Sequence, residues 1–127
     1  ARPLQHILDV AVKASAKDKS RNAIKHFEYY ASQHFGKVIK AEMLSYEELN
    51  QDLFGGLATY LATQAHHYND RTKALLSLNS AQGYLSSIKM YYVNKFREHR
   101  EPSVFSKEHW SRIKAGVNSE FVERSKR

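Results

Sequence analysis

The sequence predicts an all-α fold, a compact bundle of four core helices with an additional helix at its N-terminal side. Three observations predict it. Apolar residues recur at three- and four-residue steps in five stretches, small polar residues stand where helices would begin, and glycine or proline follows where they would stop. The chain has 127 residues, enough for one domain with a modest core. Its hydrophobic content of 42% is ordinary for a globular protein. The organisation read from the sequence is an N-terminal helical extension, 1–17, and a helical body, 18–127.

In the extension, Leu4, Ile7, Leu8, Ala11 and Val12 form an amphipathic stripe between Pro3 and Ala16, and "AKDKS" interrupts it. The next helix spans Ser20 to Phe35, with Ala23, Ile24, Phe27, Tyr30, Ala31 and His34 on one face and Gly36 as its stop. "KVIKAEML" has no clear period and reads as a connector, with room for a short extended piece. Ser45 followed by Glu48 is a capping box and predicts a helix from there to about Ala65, with Leu49, Leu53, Leu57, Tyr60, Leu61 and Gln64 on its face. Gly55 and Gly56 interrupt it at roughly 1 kcal/mol each relative to alanine, which predicts a close crossing by another helix. "HHYNDRTKALLSL" is the loop that follows.

The stretch from Leu78 to Arg100 places Ala81, Tyr84, Leu85, Ile88, Tyr91, Tyr92 and Phe96 toward the core. Asn79 with Gln82 is one capping pair and Ser77 a second candidate cap; Glu101-Pro102 marks the expected end. Ser106 caps the last helix, whose stripe is Trp110, Ile113, Val117 and Phe121.

Composition excludes several functions. There is no cysteine, which removes disulfides, thiolate nucleophiles and cysteine zinc sites and fits a reducing compartment. No apolar run is long enough to cross a bilayer, and no secretory leader is visible. No metal site, P-loop, dinucleotide fingerprint or Ser-His-Asp spacing is present. His66 and His67 are adjacent, diverge on a helix, and read as a solvated loop pair. Tyr29-Tyr30 and Tyr91-Tyr92 are of the type that stacks on bases, although the stripe member of each pair is more simply core. No cofactor, small-molecule substrate or catalytic step is expected of this chain.

Charge is unevenly placed. Residues 1–40 carry eight Lys/Arg against three acids, 41–70 carry none against five, and 71–127 carry twelve against five. Basic residues thus flank an acidic middle, and the whole chain has a formal charge of +7. A basic face assembled from distant segments is the electrostatic footprint of a phosphate binder.

Three stretches, "SRNAIKHFEYYASQHFG", "LSYEELNQDLFGGLATYLATQA" and "LSLNSAQGYLSSIKMYYVNKF", together resemble the N-terminal core-binding domain of tyrosine recombinases and phage integrases, a SAM-like helical bundle. "KEHWSRIKAGVNSEFVER" takes the place of that family's closing helix, so the resemblance spans about residues 18–124. Its motifs are helical patterns rather than invariant chemistry. The basic character and the extra N-terminal helix look closer to eukaryotic, transposon-derived members.

The resemblance implies a non-catalytic clamp over double-stranded DNA. The family's nucleophilic tyrosine lies in a separate domain, so none of the eight tyrosines here is expected to act as one. In similar domains the first and third bundle helices present their starts to the major groove. Carried over residue by residue, that gives Lys19, Ser20, Arg21, Asn22 and Lys25 on one helix, and Asn79, Ser80, Gln82, Gly83, Ser86, Ser87 and Lys89 on the other. Asn79 and Gln82 suit adenine edges as well as capping, and the basic residues suit phosphates. The resemblance also implies nuclear location if the source is eukaryotic, cytoplasmic otherwise, and self-association on DNA through the last helix. A helical protein-interaction module is the main alternative. A membrane-surface role for residues 3–16 is weaker, because that helix lacks a strong basic face.

Overall fold

The computed structural model describes residues 20–67 and 72–126. The expected N-terminal helix, and with it Lys19, lies outside the described residues. Among those described the fold is all-α, with helices α1 (20–35), α2 (Gln51–Thr63), α3 (Leu78–Lys95) and α4 (Lys107–Ser125) and three short 3-10 turns. None of these helices is long and apolar enough to cross a membrane.

α1 buries Ala23, Phe27 and Ala31, the expected stripe, and it also buries His26, which is only 2% exposed. His34 is a correction: expected on the apolar face, it is exposed at the edge of α1, with its ring 3.8 Å from the Asp52 carboxylate. The helix stops where Gly36 takes φ 69°, a left-handed conformation that costs glycine no Cβ clash, and its N–H donates to the Ser32 carbonyl at 2.9 Å.

The connector after α1 forms no extended pairing. It makes a 3-10 turn at Ala41–Met43 and buries Ile39, Ala41 and Leu44. α1 holds it in place: the Ile39 N–H donates to Ser32 Oγ at 2.9 Å and the Ala41 N–H to Glu28 Oε2 at 2.8 Å. From α3, the Tyr92 hydroxyl donates to the Ala41 carbonyl at 2.8 Å, fully buried. Burial raises the Tyr92 phenol above its ordinary range, so it stays a donor. Tyr92→Phe removes this hydrogen bond, leaves that carbonyl only the Leu44 N–H at 3.5 Å, and should lower stability by about 1 kcal/mol in denaturant unfolding, with little change in the m-value.

The Ser45–Glu48 box exists, and the Ser45 N–H donates to Glu48 Oε1 at 2.8 Å. It starts a 3-10 turn, Tyr46–Glu48, rather than the long helix expected there. Leu49 leaves the helical region at ψ 87°, and Asn50 provides a second cap by accepting from the Leu53 N–H at 2.9 Å. α2 therefore begins at Gln51 and buries Leu53, Phe54, Leu57, Ala58, Leu61 and Ala62. The close crossing expected at the paired glycines occurs at Gly56 alone. A Cβ there would collide with the Tyr30 hydroxyl of α1, whereas one at Gly55 meets nothing.

His66 pairs with Leu75 in an isolated antiparallel bridge, and the Leu76 N–H donates to the Ala65 carbonyl at 3.1 Å. His66 and His67 are accordingly half-buried rather than solvated. α3 ends at Lys95, short of the Glu101-Pro102 expected from sequence. Phe96 turns out of the helix and stacks on Tyr92 at 6.3 Å, edge-on to Tyr46 at 5.8 Å. Tyr46 fastens the turn that follows by donating to the Arg100 carbonyl at 2.7 Å and stacking on His99.

α4 starts where expected, with Ser106 Oγ accepting from the His109 N–H at 3.4 Å. Trp110, Ile113 and Val117 are buried and Phe121 half-buried. Just before α4, the turn Ser103–Phe105 adds Val104 and Phe105 to the core, with Phe105 at 5.2 Å from Phe54 and 5.5 Å from Trp110. At its other end, Arg124 donates to the Ala62 carbonyl at 3.0 Å, satisfying an acceptor in the last turn of α2.

Candidate nucleic-acid interface

The first described turns of α1 lie beside the start of α3. The His26 ring lies 5.2 Å from the Tyr84 ring, and the Asn22 side chain lies near the Tyr84 hydroxyl. These contacts form because Tyr84 flanks the apolar stripe of α3, on the side toward α1. Burial dominates over the Asn22 hydrogen bond and raises the Tyr84 phenol above its ordinary range, keeping it neutral.

Outward from that seam, helical geometry places Lys25 and then Arg21 on α1, and Ser80, Ser87 and then Gly83 on α3. Ser20, Arg21 and Lys25 are exposed and Asn22 is half-buried. On α3, Asn79 and Ser86 are exposed, while Ser80, Gly83 and Ser87 are half-buried. The solvent side of this helix start therefore carries small, uncharged side chains that allow a close approach to the backbone, and cations come from the neighbouring helix.

The remaining two α3 positions turn elsewhere. Gln82 Nε2 donates to Asn118 Oδ1 of α4 at 2.9 Å. Lys89 is half-buried, its ammonium 5.0 Å from the centre of the Trp110 ring. The Asn79–Gln82 capping pair is a correction: Ser77 is the cap, accepting from the Ser80 N–H at 3.2 Å. Asn79 lies inside the first turn, and the reach of Gln82 across to α4 removes it from any capping role. Asn118 and Tyr84, which position Gln82 and Asn22, were not marked as site residues by the sequence. Tyr84 was assigned to the core, and nothing in local spacing joins Gln82 to a partner 36 residues away.

Beneath the seam, His26 is enclosed by Tyr84 and by Tyr60, whose ring is 6.4 Å away. Burial, reinforced by His66 and then His67 nearby, holds its pKa down at about 4. It is thus a neutral core residue at physiological pH. The polar letter at position 26 hid it from an apolar-stripe reading.

Comparison of the chain with protein-family models, with curated proteins and with solved structures finds no match.

Proposed function

We propose that this domain binds duplex DNA through the adjoining starts of α1 and α3, as the core-binding half of a recombinase-type clamp, and that it contributes no catalytic step. The observation that carries the reading is the seam at Asn22, His26 and Tyr84. It brings exposed Arg21 and Lys25 beside a helix start made of Asn79, Ser80, Gly83, Ser86 and Ser87. Such an arrangement suits a major groove: small residues allow approach to base edges, while cations beside them meet phosphates. In this reading Lys89 and Gln82 support α4, Gln82 through one N–H of its amide to Asn118. The parent protein would act in the nucleus if eukaryotic and in the cytoplasm otherwise.

Arg21→Ala and Lys25→Ala test the reading. Each should weaken binding to all duplex sequences alike and reduce the slope of log K against log salt by about one per phosphate contact removed. Fluorescence anisotropy with a labelled duplex measures both. Folded variants that bind as the parent does would remove the clamp reading.

A helical protein-interaction module is the second reading. It is favoured by the end of α4, where Val122 is 54% exposed beside half-buried Phe121. The same surface would serve self-association on DNA. Under the second reading Arg21 and Lys25 substitutions are silent, and Val122→Asp abolishes partner binding.

A further inference from the structure

We propose that the furrow between the C-terminal half of α3 and the first half of α4 binds an acidic amphipathic helix of a partner protein. Two contacts define the furrow. Gln82 Nε2 donates to Asn118 Oδ1 at 2.9 Å, and the Lys89 ammonium lies 5.0 Å from the centre of the Trp110 ring. α3 and α4 therefore run antiparallel along this flank. Helical spacing carries each line onward: Ser86, Val93 and Arg97 continue the Gln82–Lys89 side of α3, and Lys114 and Lys107 lie on the Asn118–Trp110 side of α4. In this pairing Lys114 stands opposite Ser86 and Lys107 opposite Val93.

The α3 bank of the furrow is apolar and open. Met90 is 52% exposed near the middle of the helix, and Val93 and Phe96 follow it half-buried. Together with Pro102 they line a depression of about 350 Å³, and Glu101 bounds it beyond the end of α3. Tyr92 and Tyr46 hold the Phe96 ring in place, whereas the thioether of Met90 adapts to what it meets.

The cations beside this apolar strip select the occupant. Arg97, Lys107 and Lys114 are exposed, and their side chains make no ion pair or hydrogen bond among the described residues. They are spread over about 16 Å of helix axis, or three turns. A docked helix with carboxylates along one edge and aliphatic side chains along the next would match both features, its acids meeting the three cations and its leucines covering Met90, Val93 and Phe96. A phosphate backbone would meet the cations and leave the apolar strip without a partner. Val122 lies at the other end of α4, and the inference does not depend on DNA binding.

The test is a ¹H–¹⁵N NMR titration of the whole chain with three probes: a helical peptide bearing Leu and Glu on adjacent edges, the same peptide with Gln for every Glu, and a random-sequence duplex. The Glu peptide should shift the amides of Met90, Val93, Arg97 and Lys114 saturably, and the Gln peptide should bind roughly tenfold more weakly. Lys107→Glu with Lys114→Glu, an exposed pair of changes that should leave the thermal melt intact, should weaken the Glu peptide by at least tenfold. Met90→Gln should weaken both peptides alike. Absence of shifts with the Glu peptide, equal affinity for the Gln peptide, or unchanged affinity in the double charge reversal would each overturn the proposal. So would saturation of these amides by the duplex with the Glu peptide silent.

Discussion

Acidification from pH 6.5 to pH 4 should remove about 3 kcal/mol of folding stability through His26 alone. The sign follows from the direction of its shift. Burial among Tyr60 and Tyr84, with His66 and His67 near, lowers the folded-state pKa from 6.5 to about 4. The unfolded chain therefore takes up its proton first. The stabilisation is complete above pH 6.5, falls by about 1.4 kcal/mol per pH unit as pH drops through the window, and is gone below about 4. Carboxylates add their own titration near the lower end, so the informative quantity is a difference. His26→Leu puts an apolar side chain of similar size in the same place and removes the proton site. Urea unfolding of parent and variant at several pH values should show the variant's stability declining less across this window, by about 3 kcal/mol in total. Parallel pH profiles would show that His26 is not held neutral by its site.

The second large effect is expected at the crossing of α1 and α2. Tyr30 donates its hydroxyl to the Leu53 carbonyl at 2.9 Å, directly over Gly56. Burial, with Asp52 nearby, pushes this phenol up to about 12, so it remains a donor throughout the ordinary pH range. Gly56→Ala would place a methyl group in the hydroxyl's position, separating the helices or expelling the ring. Overpacking and the lost hydrogen bond together should cost on the order of 2–4 kcal/mol. Gly55→Ala, one residue earlier, meets nothing within 4 Å and should instead stabilise the domain by up to about 1 kcal/mol through helix propensity. Neighbouring glycines should thus respond with opposite signs. In a Tyr30→Phe background the Gly56→Ala cost should shrink, because the colliding hydroxyl is gone; a double-mutant cycle measures that coupling.

Much of this architecture was legible in the sequence because it rests on local chemistry. Ser106 and Gly36 mark helix ends by side-chain capping and by tolerance of positive φ, both properties of single residues. The stripes of α1, α2 and α4 were legible because burial at helical spacing leaves a repeating pattern. The Ser45–Glu48 box was legible as a cap, but the long helix expected from it does not start there: whether the turn continues is decided at Leu49 and Asn50, where the chain leaves the 3-10 turn and starts a helix. The short turn that buries Val104 and Phe105 has too few residues to show a period.

The candidate site was legible as two helix starts and not as a surface. Which α3 residues face solvent depends on neighbours remote in the chain. Asn118 holds Gln82, Trp110 draws Lys89 over its ring, and Asn22 finds Tyr84. Each of these contacts joins positions whose spacing carries no signal. The polar identity of His26 pointed outward, whereas packing among aromatic rings put it inside.

One titration tests the central claim most directly: binding of the whole chain to a random-sequence duplex, followed by fluorescence anisotropy at a low and a moderate salt concentration. DNA binding through Arg21, Lys25 and their neighbours predicts association at low salt that weakens steeply as salt rises, by several powers of ten if six or more phosphates are engaged. No association at low salt, or affinity indifferent to salt, would contradict it.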